Sequence, residues 1–229
     1  MIMKKQTLPA GKSVRDPYDA LRPGSAITHG IGIALAVIGT VFLLFFAMGN
    51  DISYAGLVSY IIYGLALIGL YTASTVYHSA NTREKGRILL RKTDHMMIYF
   101  LIAGTYTPLC VISLGNTFGY VLLAVIWSLA VIGSITNLFW INMPRWLTSA
   151  VYLFMGWLAV VAIYPLSKTI GIGLFWLLLG GGLYTIGGVL YAVKWPGRDN
   201  PRFGCHEIFH IFILLGSAAH YAMMFSLNM

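Results

Sequence analysis

Charge is what this sequence has least of. Only 10% of its 229 residues are Asp, Glu, Lys or Arg, where a soluble globular domain carries about 25%. With 58% hydrophobic residues and a mean hydropathy of +0.77, the composition excludes an ordinary soluble domain and a disordered chain alike; it is that of an integral membrane protein. Cysteine is nearly absent. Cys110 and Cys205 lie inside or beside apolar runs, so no disulfide framework is expected and nothing follows about redox compartment. Acidic residues number seven against fifteen basic ones. The resulting charge of +8 does not point to nucleic acid, because the basic residues fall in short runs between apolar segments, which is the pattern of membrane topology. An early apolar core is missing too: Lys4 and Lys5 are followed by none until about Ile27, which argues against a cleaved signal peptide. Nor does a row of polar residues run along any full apolar segment, which counts against an aqueous pore formed by one copy.

What is present is a series of apolar runs, each near the roughly 20 residues that one crossing needs. They predict seven transmembrane helices, at Ser25–Met48, Ser53–His78, Asp94–Leu114, Phe118–Trp140, Arg145–Tyr164, Gly171–Val193 and Cys205–Leu227. Short connections imply one all-α bundle over 25–229, preceded by a polar and mobile tail over 1–24. Lys4, Lys5, Lys12, Arg15 and Arg22 precede the first span; Arg83, Lys85, Arg87, Arg91 and Lys92 lie between the second and third. Arg145 opens the fifth, and Lys194, Arg198 and Arg202 lie between the sixth and seventh, so fourteen basic residues share one side against Lys168 alone on the other. The positive-inside rule then puts the N-terminus in the cytoplasm and the C-terminus outside, and the expected location is the plasma membrane, as a multi-pass protein.

Ionisable residues inside such spans are costly, about 2.5–3.5 kcal/mol for an unpaired Asp at mid-bilayer, and they mark paired or metal-bound groups. His78 ends span two, Asp94 begins span three, and His206 and His210 begin span seven, all near the cytoplasmic ends of their helices. His206 and His210 are four apart and so share a helical face, as do Ser74 and His78. Three histidines from two helices can hold one zinc ion and leave a fourth position open, the arrangement of a catalytic site and not of a closed structural one. Asp94 is the expected general base for an attacking water, and Ser74 a donor to it or to a developing oxyanion. His29 is expected in the pocket lining or behind the ligands. His95, next to Asp94, is expected to turn away towards the headgroups. His220, about 15 Å beyond His210 along the helix, is expected to be a buried polar partner. Thr107-Pro108 predicts a bend in span three that opens a cavity or serves packing. Glycines in span six predict close helix packing, and Trp140, Trp146 and Trp195 interfacial anchoring.

His206-Glu207-Ile208-Phe209-His210 also matches H-E-x-x-H, in which Glu207 would serve as the general base of an intramembrane metalloprotease. That reading leaves Ser74, His78 and Asp94 without a role. Its structural counterpart has Glu207 capping the helix or pairing with a base such as Arg202.

The set Ser25-Ala-Ile-Thr-His29-Gly-Ile-Gly, Ser74-Thr-Val-Tyr-His78, Arg91-Lys-Thr-Asp94-His, Ile102-Ala-Gly-Thr-Tyr-Thr-Pro108 and Phe203-Gly-Cys-His206-Glu-Ile-Phe-His210 covers nearly the whole chain after the tail. In this order on seven spans it resembles the haemolysin III branch of the progestin and adipoQ receptor superfamily. The resemblance implies a seven-helix fold with a cytoplasmic N-terminus and zinc on His78, His206 and His210, beside Asp94 and Ser74. It also implies chemistry: adiponectin-receptor relatives are similar to lipid amide hydrolases acting on ceramide, and bacterial members are linked to membrane lipid homeostasis. This chain lacks a large soluble N-terminal region, so hormone binding is not implied. The expected partners are therefore membrane lipids, one of them a substrate. The contrasting expectation is a non-enzymatic protein, a pore-forming haemolysin or a sensor of lipid state, with zinc as a structural clamp.

Overall fold

A bilayer offers no water to backbone amides, so a crossing segment must close its hydrogen bonds within itself. In the computed structural model, which describes residues 20–140, 142–197, 200 and 203–227, seven helices do so. They are α1 (Pro23–Gly49), α2 (Tyr54–Ser79), α3 (Glu84–Leu114), α4 (Thr117–Phe139), α5 (Arg145–Thr169), α6 (Gly173–Val193) and α7 (Cys205–Met224). Each is long and apolar enough to cross a membrane, and no strand occurs among the described residues. The chain is a multi-pass seven-helix protein whose outer faces meet lipid. Residues 1–19, most of the expected tail, and Arg202 lie outside the described residues.

Local chemistry sets the helix ends. Pro23 opens α1 where its missing N–H would have had no partner anyway. Ser53 and Asn116 cap α2 and α4, accepting from the backbone N–H groups of Gly56 and Gly119 at 3.2 and 3.0 Å. Gly115 ends α3 with φ of +54°, a left-handed conformation that glycine adopts without a Cβ clash.

Two spans depart from the expected form. α3 begins at Glu84, ten residues ahead of Asp94, because Glu, Lys, Leu and Arg are strong helix formers and extend the helix past its apolar part. Asp94 therefore stands in the helix interior. At its other end α3 continues through Pro108 into a wider π turn over Leu109–Leu114, which absorbs the hydrogen bond that proline cannot donate. α5 tightens to a 3-10 turn over Leu158–Ala162 before resuming as Ile163–Thr169. Tyr106 on α3 donates to the Gly156 carbonyl at 2.7 Å just before that turn, tying the two irregular helices together.

α1 packs on α2 and α7, α2 on α3, α3 on α5, α5 on α6 and α6 on α7, which closes a ring; α4 lies outside it against α3. The apolar window of α3 is 61% buried and that of α4 only 28%, so α3 is the central helix and α4 faces mostly lipid. Trp140, Trp146 and Trp195 are exposed, as membrane-surface anchors must be.

Close approach of α6 to α7 depends on glycine. A Cβ on Gly180 would overlap the imidazole of His220, whereas one on Gly182 would meet nothing within 4 Å. Gly180→Val is expected to destabilise the fold by about 1–3 kcal/mol through overpacking, seen as a lowered Tm in detergent, while Gly182→Ala melts close to wild type.

Candidate metal centre and its cavity

The end of α2 and the start of α7 carry the histidines to one place. Ser74 and His78 share a face of α2 and are each 1% exposed; His206 and His210, one turn apart on α7, face them from the other side. The Nε2 atoms of His78 and His206 stand 3.2 Å apart, and one ligand nitrogen from each of His78, His206 and His210 lies within 4.8 Å of the others. Around a tetrahedral ion with bonds of about 2.0–2.1 Å, ligand nitrogens sit about 3.4 Å apart. The three buried rings therefore fit a single metal ion with small adjustment. The Nδ1 atom of His78 has no hydrogen-bond partner, so the far side of that ring is not anchored in the way ligating histidines usually are, whereas the His210 ring meets the Ser25 backbone.

This group stands on the wall of a cavity of about 140 Å³ whose surface is overwhelmingly apolar. Ser74, Asp94, His29 and His95 line it together with His206 and His210, and Thr105, Ser149 and His220 are further polar residues of its wall. Asp94 is not one of the three converging ligands; it faces the same space from α3. Leu70, Leu101, Tyr106, Leu177 and Ile213 line the rest, with the α3 π turn and the α5 3-10 turn contributing Leu109 and Ala159.

Glu207 takes no part in that cavity. It is fully buried and accepts four hydrogen bonds: from Arg22 Nε at 2.6 Å, Arg22 Nη2 at 2.8 Å, the Gly204 backbone N–H at 2.8 Å and Ser25 Oγ at 3.3 Å. It thus caps α7 and pairs with a base, but the base is Arg22, the residue just before α1. With its oxygens engaged there, Glu207 is not available as the general base of a metalloprotease.

The remaining histidines divide. His29 stacks on His210 with centroids 3.8 Å apart and an interplanar angle of 18°, and lines the cavity as expected. His220 is buried and donates from Nε2 to the Leu177 carbonyl at 3.2 Å, a polar partner to α6. His95 differs from expectation: it does not turn out to the headgroups. Its Nδ1 lies 3.0 Å from the Arg91 carbonyl and 3.4 Å from Asp94 Oδ2, and it lines the cavity. Neighbouring residues diverge by about 100° around a helix, and the cavity covers enough of α3 to receive both.

A sequence model of the family described as Haemolysin-III related matches residues 23–221. The chain belongs to the haemolysin III branch of the progestin and adipoQ receptor superfamily. It is 42% identical to the Hemolysin-3 homolog of Bacillus subtilis (strain 168) over 196 residues, 85% of this chain and 88% of that protein. It is 39% identical to Hemolysin-3 of Bacillus cereus, over 85% of each. The human monocyte to macrophage differentiation factor is 28% identical over 202 residues, 85% of this chain and 79% of that one.

Sequence reasoning on this haemolysin III chain missed Arg22, Arg145 and Tyr191 as residues around the centre. Arg145 is buried, with its guanidinium 4.8 Å over the Tyr191 ring, which in turn meets His206 edge to face. Both arginines read as topology signals, and what could have found Arg22 was the need of an intramembrane Glu207 for a counter-charge. Elemental analysis of detergent-purified protein is expected to find about one metal ion per chain, with His78→Ala, His206→Ala and His210→Ala each losing most of it.

Proposed function

We propose that this chain is a zinc-dependent hydrolase of lipid amides, ceramidase-like in chemistry, acting in the plasma membrane in membrane lipid homeostasis. The observation that carries the reading is a buried three-histidine group on the wall of a largely apolar cavity that Asp94 and Ser74 also line. The sequence puts fourteen basic residues in the tail and connections that alternate to one side, which supports a cytoplasmic N-terminus and a metal site near the cytoplasmic face.

A divalent ion bound by His78, His206 and His210 supplies Lewis-acid polarisation of a carbonyl. The residues of the chain do the rest. The apolar walls hold an acyl chain and keep bulk water from the amide. Asp94 takes a proton from the attacking water as its oxygen bonds to the carbonyl carbon. Ser74, whose Oγ is buried without a partner, donates to the oxygen that gains negative charge. The proton passes from Asp94 to the amide nitrogen as the C–N bond breaks, which yields an amine and a carboxylic acid.

Purified wild type with zinc is expected to hydrolyse a long-chain ceramide in mixed micelles. Asp94→Asn is expected to lower the rate about 10²–10⁴-fold with metal content unchanged, and Ser74→Ala to lower it by a smaller factor. Full activity in Asp94→Asn would falsify the mechanism, and no turnover of any lipid amide by zinc-loaded wild type would remove the hydrolase reading. The name hemolysin of the Bacillus relatives supplies a second reading, a lytic protein. Its signature is dye leakage from liposomes carrying the pure protein, which the apolar cavity does not favour.

A further inference from the structure

The ion pair between Arg22 and Glu207 spans 185 residues of sequence and is buried on both sides. Nothing in the proposed hydrolysis uses it, yet Glu207 directly follows one metal ligand and stands one turn before the other. We propose that Arg22 and Glu207 are positioning residues of the metal centre, setting the rotation of α7 about its axis so that His206 and His210 meet His78 on one ion. This rests on the reading that the three histidines bind a metal.

The geometry gives the pair this role in three steps. First, the guanidinium grips the carboxylate with two N–H groups, at 2.6 and 2.8 Å, and such a planar two-point contact fixes orientation as well as distance. The same carboxylate takes the Gly204 N–H, so the first turn of α7 is fixed to the start of α1. Second, side-chain tips lie about 5–6 Å from a helix axis, so a 10° rotation moves them by about 1 Å. Metal–ligand distances tolerate only about 0.2 Å. An α7 free to rotate by a few degrees loses the site. Third, ring placement at His210 comes from α1, through the Ser25 backbone and the stacked His29. Ser25 and His29, one turn apart on α1, and Arg22 just ahead of the helix together meet the ligand-bearing turns of α7.

A merely structural brace between α1 and α7 would not behave this way, and the molecule contains one for comparison. Tyr221 of α7 donates to the Gly39 carbonyl of α1 at 2.8 Å, further along the same interface and away from the ligands.

The test is cobalt(II) titration of the metal-stripped full chain in detergent, followed by visible absorption, with Tm measured in parallel. Wild type is expected to bind about one cobalt ion. Arg22→Met and Glu207→Gln are expected to weaken binding about 10–100-fold and to change the cobalt spectrum. Arg22→Lys should recover part of the affinity, and Tyr221→Phe should lower Tm while leaving affinity and spectrum as in wild type. If Arg22→Met does not fold, Glu207→Gln decides, since it keeps the size of the side chain and an oxygen for the Gly204 cap. Wild-type affinity and spectrum in Glu207→Gln overturn the positioning role and leave the metal reading intact. Absence of cobalt and zinc binding by wild type overturns both.

Discussion

Inside a lipid bilayer a polar group must find its partner in the protein, and the architecture of this chain is largely the consequence. Tyr60 donates to the Met224 carbonyl, Tyr221 to that of Gly39 and His220 to that of Leu177, each tying α7 to a neighbour. The pair of Arg22 and Glu207 is the costliest case, since removing one partner of a buried ion pair typically costs about 3–5 kcal/mol. On α2, Ser74 Oγ, Thr75 Oγ1 and His78 Nδ1 stand together at one end of the helix as buried side-chain atoms without hydrogen-bond partners.

The two helices that supply the histidines do not depend on one another alone. α1 lies against both, and its polar face touches Glu207 and His210 while its apolar face meets lipid. The cavity has a different origin. It opens where α3 widens to a π turn and α5 narrows to a 3-10 turn, two irregularities joined by the hydroxyl of Tyr106. Helical geometry is irregular at the turns that bring Leu109 and Ala159 to the cavity and regular where α2 and α7 carry the histidines.

How much of this was legible can be judged residue by residue. The seven spans follow from apolar run length, because backbone hydrogen bonding in lipid leaves helices as the form for such runs. The shared faces of Ser74 with His78 and of His206 with His210 follow from helical periodicity. The start of α3 was misplaced because hydropathy marks where a helix enters lipid and not where its hydrogen bonds begin. His95 was misjudged because adjacency in sequence says that two side chains diverge, without saying how wide a space they face.

Composition and pattern by themselves determined that the chain is a seven-helix membrane protein and which residues could offer ligand atoms from shared helical faces, since both depend on local quantities: hydrophobic length, periodicity and donor type. Tertiary structure alone decided what Glu207 is for. Its neighbour in the H-E-x-x-H pattern suggested a catalytic base and the nearby Arg202 a counter-ion, yet the fold brings Arg22 from the other end of the chain to its carboxylate. Counter-charge is a matter of distance in space, and with several arginines at one membrane depth only the packing of α1 against α7 selects among them.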